Sequence, residues 1–144
     1  MQEEETKGIL RECDAGVKMG IESIDAVVEK VKSPELKNAL LESRKEHMRL
    51  QNEISEALTE HGWTGKEPPV MADLMSRMKI GAELLMDPSD QTIADLMYEG
   101  CEMGIKKLSE YVNRFPHSKS PAVHVAERLI KSEQELSDAV RVFL

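Results

Sequence analysis

Apolar residues recur three and four apart through most of this chain, the spacing of amphipathic helices. From about Glu4 to Val31 the apolar face is Leu10, Cys13, Val17, Ile21, Ile24, Val28 and Val31. Ser33-Pro34 then supplies an N-cap and a proline at the first helical position, where its missing N–H is no loss. The second helix carries Leu40, Ser43, His47, Leu50, Ile54 and Ala57 on one seam and closes at Gly62. Gly65 and Pro68-Pro69 break the pattern. A shorter helix is predicted from about Val70 to Met86, burying Met71, Leu74, Met75, Met78, Ala82 and Leu85. Asp87-Pro88-Ser89-Asp90 ends it and caps a helix from about Gln91 to Phe115, with Ile93, Met97, Cys101, Ile105, Leu108 and Val112 inward. Pro116 stops that helix. The last begins at Pro121 and turns Ala122, Ala126, Leu129, Glu133, Leu136, Val140 and Phe143 to its seam. No stretch alternates as a strand does.

The two halves repeat. Gly16-Val17-Lys18-Met19-Gly20-Ile21 returns 84 residues later as Gly100-Cys101-Glu102-Met103-Gly104-Ile105. Each half then reaches a Ser-Pro pair and a second long amphipathic run, the mark of a duplicated helical hairpin. The links inside each hairpin are short, so each pair is antiparallel. Four helices of ~26 residues are each ~40 Å long at 1.5 Å per residue. The connection between hairpins holds a helix of its own, ~25 Å by the same rise, plus extended flanks. That is enough to travel the length of a bundle. The expected architecture is one all-α domain over residues 1–144: a hairpin over 4–62, a crossover helix over 70–86 and a hairpin over 90–144. Its order is up-down-down-up. The rival is a plain up-and-down bundle with the Met-rich helix in the core.

Composition narrows the function classes. Only 3% of residues are aromatic, so aliphatic side chains and nine methionines must fill the interior. Nineteen basic against 27 acidic residues give a net charge of −8, which disfavours nucleic acid and anionic membrane as partners. No run approaches the ~18 apolar residues of a membrane span. The acidic start, Met1-Gln2-Glu3-Glu4-Glu5, lacks the apolar core of a signal peptide. Cys13 and Cys101 lie inside helical patterns without CxxC spacing and read as buried thiols in a reducing, cytoplasmic setting. A disulfide or redox pair between them is the alternative.

At this point the chain resembles the ferritin-like superfamily over essentially its full length. The residues that carry the likeness are Ser33-Pro34-Glu35-Leu36-Lys37, Lys45-Glu46-His47, Glu60-His61-Gly62-Trp63 and Ala94-Asp95-Leu96-Met97-Tyr98-Glu99-Gly100. It looks most like the small ferritin-like bundles grouped as a domain of unknown function. Through Gly62-Trp63 it is also similar to spore-coat F-like proteins. Di-iron members of the superfamily set a Glu from each of two helices and a Glu-x-x-His from each of the other two in the bundle centre. Here His47 is preceded at three residues by Arg44, and Glu133 is followed at three by Leu136. Glycines hold the middles of the first and third long helices. The resemblance therefore implies the fold without the di-iron site, and no metal or cofactor is expected.

Several residues still ask for a role. His47 and Glu133 each interrupt an apolar seam near mid-helix, so each needs a polar partner, and the two stand at similar height. They are expected to share a buried polar layer with Asp14 and Tyr98, the latter two hydrogen-bonded to one another. Should a metal or ligand bind, His47 and Glu133 are its candidates. Gly16, Gly20, Gly100 and Gly104 each cost a helix ~1 kcal/mol against Ala. They are expected to mark close helix packing or, in a second reading, to leave room for a small ligand. Met71, Met75 and Met78 read as adaptable core or partner surface, with a Cu(I) site as the alternative. His61, His117 and His124 are expected to face water. The sum is a non-catalytic structural or interaction protein, with a protein partner or self-association. The alternative is a metal- or small-ligand-binding bundle that uses His47 and Glu133.

Overall fold

The computed structural model describes residues 2–115 and 120–144, and for residues 2 and 70–75 the backbone alone. Five α-helices follow one another: α1 Gln2–Val27, α2 Pro34–Glu60, α3 Val70–Met86, α4 Asp90–Asn113 and α5 Pro121–Arg141. No strand occurs among the described residues. The ends follow local chemistry. The Ser33 hydroxyl accepts the Leu36 N–H and Pro34 takes the first position of α2. Ser89 does the same for α4 through the Thr92 N–H. Gly62, at φ +70°, turns the chain out of α2 in the left-handed region that glycine alone enters freely. The predicted single run to Val31 instead tightens into a 3₁₀ turn at Val28–Lys30. The expectations for Pro116 and His117 fall outside the described residues.

Two hydrophobic clusters divide the interior. One gathers Ile24 and Val27 from the end of α1, Leu36 and Leu40 from the start of α2, Ile93 and Met97 from the start of α4, and Leu136 and Val140 from the end of α5. The other gathers Leu10 and Val17 of α1, Leu50 and Ile54 of α2, Leu108 of α4, and Ala126 and Leu129 of α5, the opposite ends in each case. The Asp90 carboxylate ties the first end together by accepting the N–H groups of Lys32 and Ser33. Around the bundle α1 packs against α2 and α5 and more loosely against α4, and α5 packs against α4, α2 and α1.

The fifth helix, α3, lies over α1 and α4, away from α2 and α5. It buries Ile80 and Leu84. Met78, Ala82 and Leu85, expected inward, face outward instead, with Leu85 87% exposed. The segment is apolar on nearly every side, so periodicity could not select its buried face. The compact aliphatic pair meets the core, and the other apolar side stays in water. Met71, Leu74 and Met75 lie outside the described side chains. No helix among the described residues is long and apolar enough to cross a membrane.

Candidate functional site

Between the two clusters, at the waist of the bundle, sits an ion pair. His47 of α2 is 0% exposed and Glu133 of α5 is 9% exposed. The His47 Nε2–H donates to Glu133 Oε1 at 2.5 Å. On its other side the ring's Nδ1–H donates to the Ser43 carbonyl at 2.8 Å, the acceptor one helical turn back. Both ring nitrogens thus face acceptors, which calls for the doubly protonated ring. Burial pulls the His47 pKa down, but the hydrogen bond and negative charge of Glu133, with the Ser43 carbonyl, outweigh it. The net direction is up. The imidazolium–carboxylate pair is short and charge-assisted.

Two neighbours complete the waist. The Cys101 thiol of α4 lies beside the Glu133 carboxylate. Burial and that same carboxylate push its pKa well up, so it stays a thiol. Gly20 of α1 lies flat against the imidazole: a Cβ there would stand 2.7 Å from His47 Cδ2. Glycine at position 20 is therefore what lets the ring occupy the waist. A Cβ on Gly104 would meet Glu133 Oε2 at an ordinary 3.6 Å, and one on Gly16 would meet Leu129 at 3.8 Å. A Cβ on Gly100 would meet nothing within 4 Å beyond its own helix, so the expectation of close packing there is corrected. The four repeated glycines share a different property. All of them line one cavity of about 290 Å³ between α1 and α4. Its floor is His47, Glu133, Leu129 and Leu136; its walls include Met19, Ile24, Leu96 and Cys101; Pro68, Pro69 and Ile80 roof it. Without side chains at four wall positions, two neighbouring helices leave a slot where a zipper of methyl groups would otherwise close.

The rim carries paired charges, Lys79 with Glu99 at 2.6 Å and Lys107 with Glu12 at 3.7 Å. The strand of chain leading to the roof is clasped to α1. Buried Asp14 accepts both the Lys18 ammonium at 2.8 Å and the Lys66 N–H at 2.9 Å. Lys18 reaches on to Glu67, and the Lys66 ammonium pairs with Glu12. Asp14 therefore does not bond Tyr98, which packs half-buried against the cluster at the other end. The expected Asp14–Tyr98 bond is corrected: α4 offers Tyr98 to the Ile24 end, while Asp14 is claimed by the chain after Gly62.

Arg44 turns away from the waist and bonds Asp25 on the surface at 2.6 Å. His61 is exposed and stacks on Trp63, and His124 is exposed. Both cysteines are free and buried, Cys13 in one cluster and Cys101 in the other. Among the described residues no group of three or more His, Cys, Asp or Glu is placed to hold a metal ion. The role of Cys101 beside Glu133 and the clasp through Asp14 were missed by the sequence. The repeated GxxxG pairs at matching places in both hairpins were the available signal for the cavity. No protein-family model, curated protein or solved structure matches the chain.

Proposed function

We propose that this protein is a non-catalytic, ferritin-like bundle that holds a small, largely apolar ligand in the slot between α1 and α4. One observation carries the reading. The four glycines of the repeated segment line a single cavity whose floor is a buried, hydrogen-bonded His47–Glu133 pair. Glycines inside helices are costly, and two of them on each side of one slot are explained if the slot is used. The pairing of helix ends in the two clusters supports an up-down-down-up order with α3 as the crossover. The free, buried thiols of Cys13 and Cys101 support a cytoplasmic setting. The net charge of −8 argues against nucleic acid.

Catalysis is not part of the reading, because neither His47 nor Cys101 is free to act. His47 spends both N–H groups, and the raised pKa of Cys101 keeps it from acting as a nucleophile. The test is a fluorescence titration with naphthalene, an uncharged bicyclic probe. Saturable binding that disappears in Gly100→Leu, where the new side chain enters the slot, is the expected result. Unsaturable partitioning, equal in both proteins, would reject the proposal.

A second reading is favoured by α3 alone. Met78, Ala82 and Leu85 form an apolar stripe on its outer side, and Met86 beside them is 90% exposed. Such a stripe supports association with a protein partner or a second copy. Light scattering across a concentration series, for the native chain and for Leu85→Lys, tests self-association: a dimer lost in the variant supports it, and a monomer throughout removes it.

A further inference from the structure

We propose that the ligand is an uncharged, mostly apolar molecule that offers one hydrogen-bond donor, a hydroxyl or an N–H, to the Glu133 carboxylate. This rests on the slot being a ligand site and names the class of molecule it selects. Three observations set the class. The first is size. An apolar cavity of ~150 Å³ holds benzene, and this one measures about 290 Å³. The matching ligand is two fused rings or their aliphatic equivalent. The slot is also long, since its lining on α1 reaches from Glu12 to Ile24, roughly 18 Å at 1.5 Å per residue.

The second is charge. The floor is neutral as a unit, because the His47 imidazolium and Glu133 carboxylate cancel. The rim ammoniums of Lys79 and Lys107 face Glu99 and Glu12. An ionic ligand would have to leave its charge unpaired among apolar walls, which is strongly unfavourable.

The third is the sense of the hydrogen bond. Both His47 N–H groups are spent, on Glu133 and on the Ser43 carbonyl. The Cys101 thiol beside them keeps its proton and is at most a weak donor. These three side chains therefore have no strong donor left for a ligand. A carboxylate has about four acceptor positions, and His47 takes one of those on Glu133. What the floor can still do is accept. At the floor, a ligand whose only polar group is a carbonyl finds no strong donor among His47, Cys101 and Glu133, while a hydroxyl or amine N–H finds an acceptor in Glu133.

Three probes with one bicyclic frame separate the possibilities at pH 7: naphthalene, 2-naphthol and 2-naphthoate. The expected result is that 2-naphthol binds at least tenfold more tightly than naphthalene, that 2-naphthoate binds more weakly than 2-naphthol by at least as much, and that Gly100→Leu abolishes all binding. The double variant His47→Leu/Glu133→Leu has an apolar floor and should bind naphthalene and 2-naphthol alike. Equal binding of those two probes by the native protein would overturn the donor assignment while leaving the ligand site standing. Tightest binding of 2-naphthoate would overturn it in favour of a cationic site. Failure of all three to bind would overturn the ligand site itself.

Discussion

Gly20→Ala should destabilise this protein although Ala is the better helix former. The added Cβ would stand 2.7 Å from His47 Cδ2 and 2.8 Å from Nε2. Carbon atoms rest at ~3.5–4.0 Å, so the ring has to retreat by about 1 Å. It cannot do so without straining its two hydrogen bonds. His47 is fully buried and pinned at Nδ1 by the Ser43 carbonyl and at Nε2 by Glu133. Overpacking of this kind costs ~1–3 kcal/mol, and loosening a hydrogen bond between charged groups adds ~1.5–3 kcal/mol. Against that stands a helix-propensity gain of ~1 kcal/mol. The net loss is about 1.5–5 kcal/mol. At about 3–4 °C per kcal/mol for a chain of this length, the thermal midpoint should fall by roughly 5–20 °C. Gly100→Ala is the control, because its Cβ meets nothing within 4 Å. It should gain the propensity and melt about 3 °C higher. Calorimetric melts of both variants at pH 6 give the answer. A Gly20→Ala midpoint at or above the native value would refute the reasoning.

Removing one member of the waist pair, by His47→Leu or Glu133→Leu, should cost about 3–5 kcal/mol in denaturant unfolding, and the double replacement less than the worse single one. A double replacement as costly as the two singles summed would mean that the residues do not act as a pair. The raised His47 pKa sets a pH dependence: the pair's stabilisation is complete below the unfolded value of ~6.5 and is lost as pH rises through the folded-state value. The melting difference between native and His47→Leu protein should therefore shrink from pH 6 to pH 9; a difference that grows would contradict the assignment. Burial, with Glu12 and Asp14 nearby, pushes the Cys13 pKa up to about 12. Burial likewise raises Cys101. A thiol reagent at pH 8 should label the folded chain far more slowly than the unfolded one, and equal rates would show the thiols accessible.

The long helices and their seams were legible because apolar residues recur at helical spacing and Ser-Pro or Ser-Asp caps mark their starts. His47 and Glu133 could be seen as a pair because each stands alone in its seam at mid-helix. The face of α3 was not legible, since Met78 and Leu85 are as apolar as Ile80 and Leu84. Only the seam between α1 and α4 decides which pair is covered. Asp14 was misassigned for a related reason. A buried carboxylate announces that it needs a donor, but the donor is the backbone N–H of Lys66, 52 residues on, and no side-chain pattern records a backbone partner. The glycines announced a special packing requirement without saying which. Position 20 needs room for an imidazole, position 100 borders open space, and one-dimensional spacing is the same for both.

The claim on which the account turns is that the slot between α1 and α4 accepts an uncharged apolar guest above the His47–Glu133 pair. Crystals of the native protein under xenon pressure test it most directly, because xenon enters apolar cavities without needing a particular functional group. The account predicts anomalous density for xenon between the Gly16–Gly20 and Gly100–Gly104 segments, under Ile80 and over Glu133, and its loss in Gly100→Leu. Crystals in which α3 packs down onto the waist and no xenon appears between those glycines would contradict it.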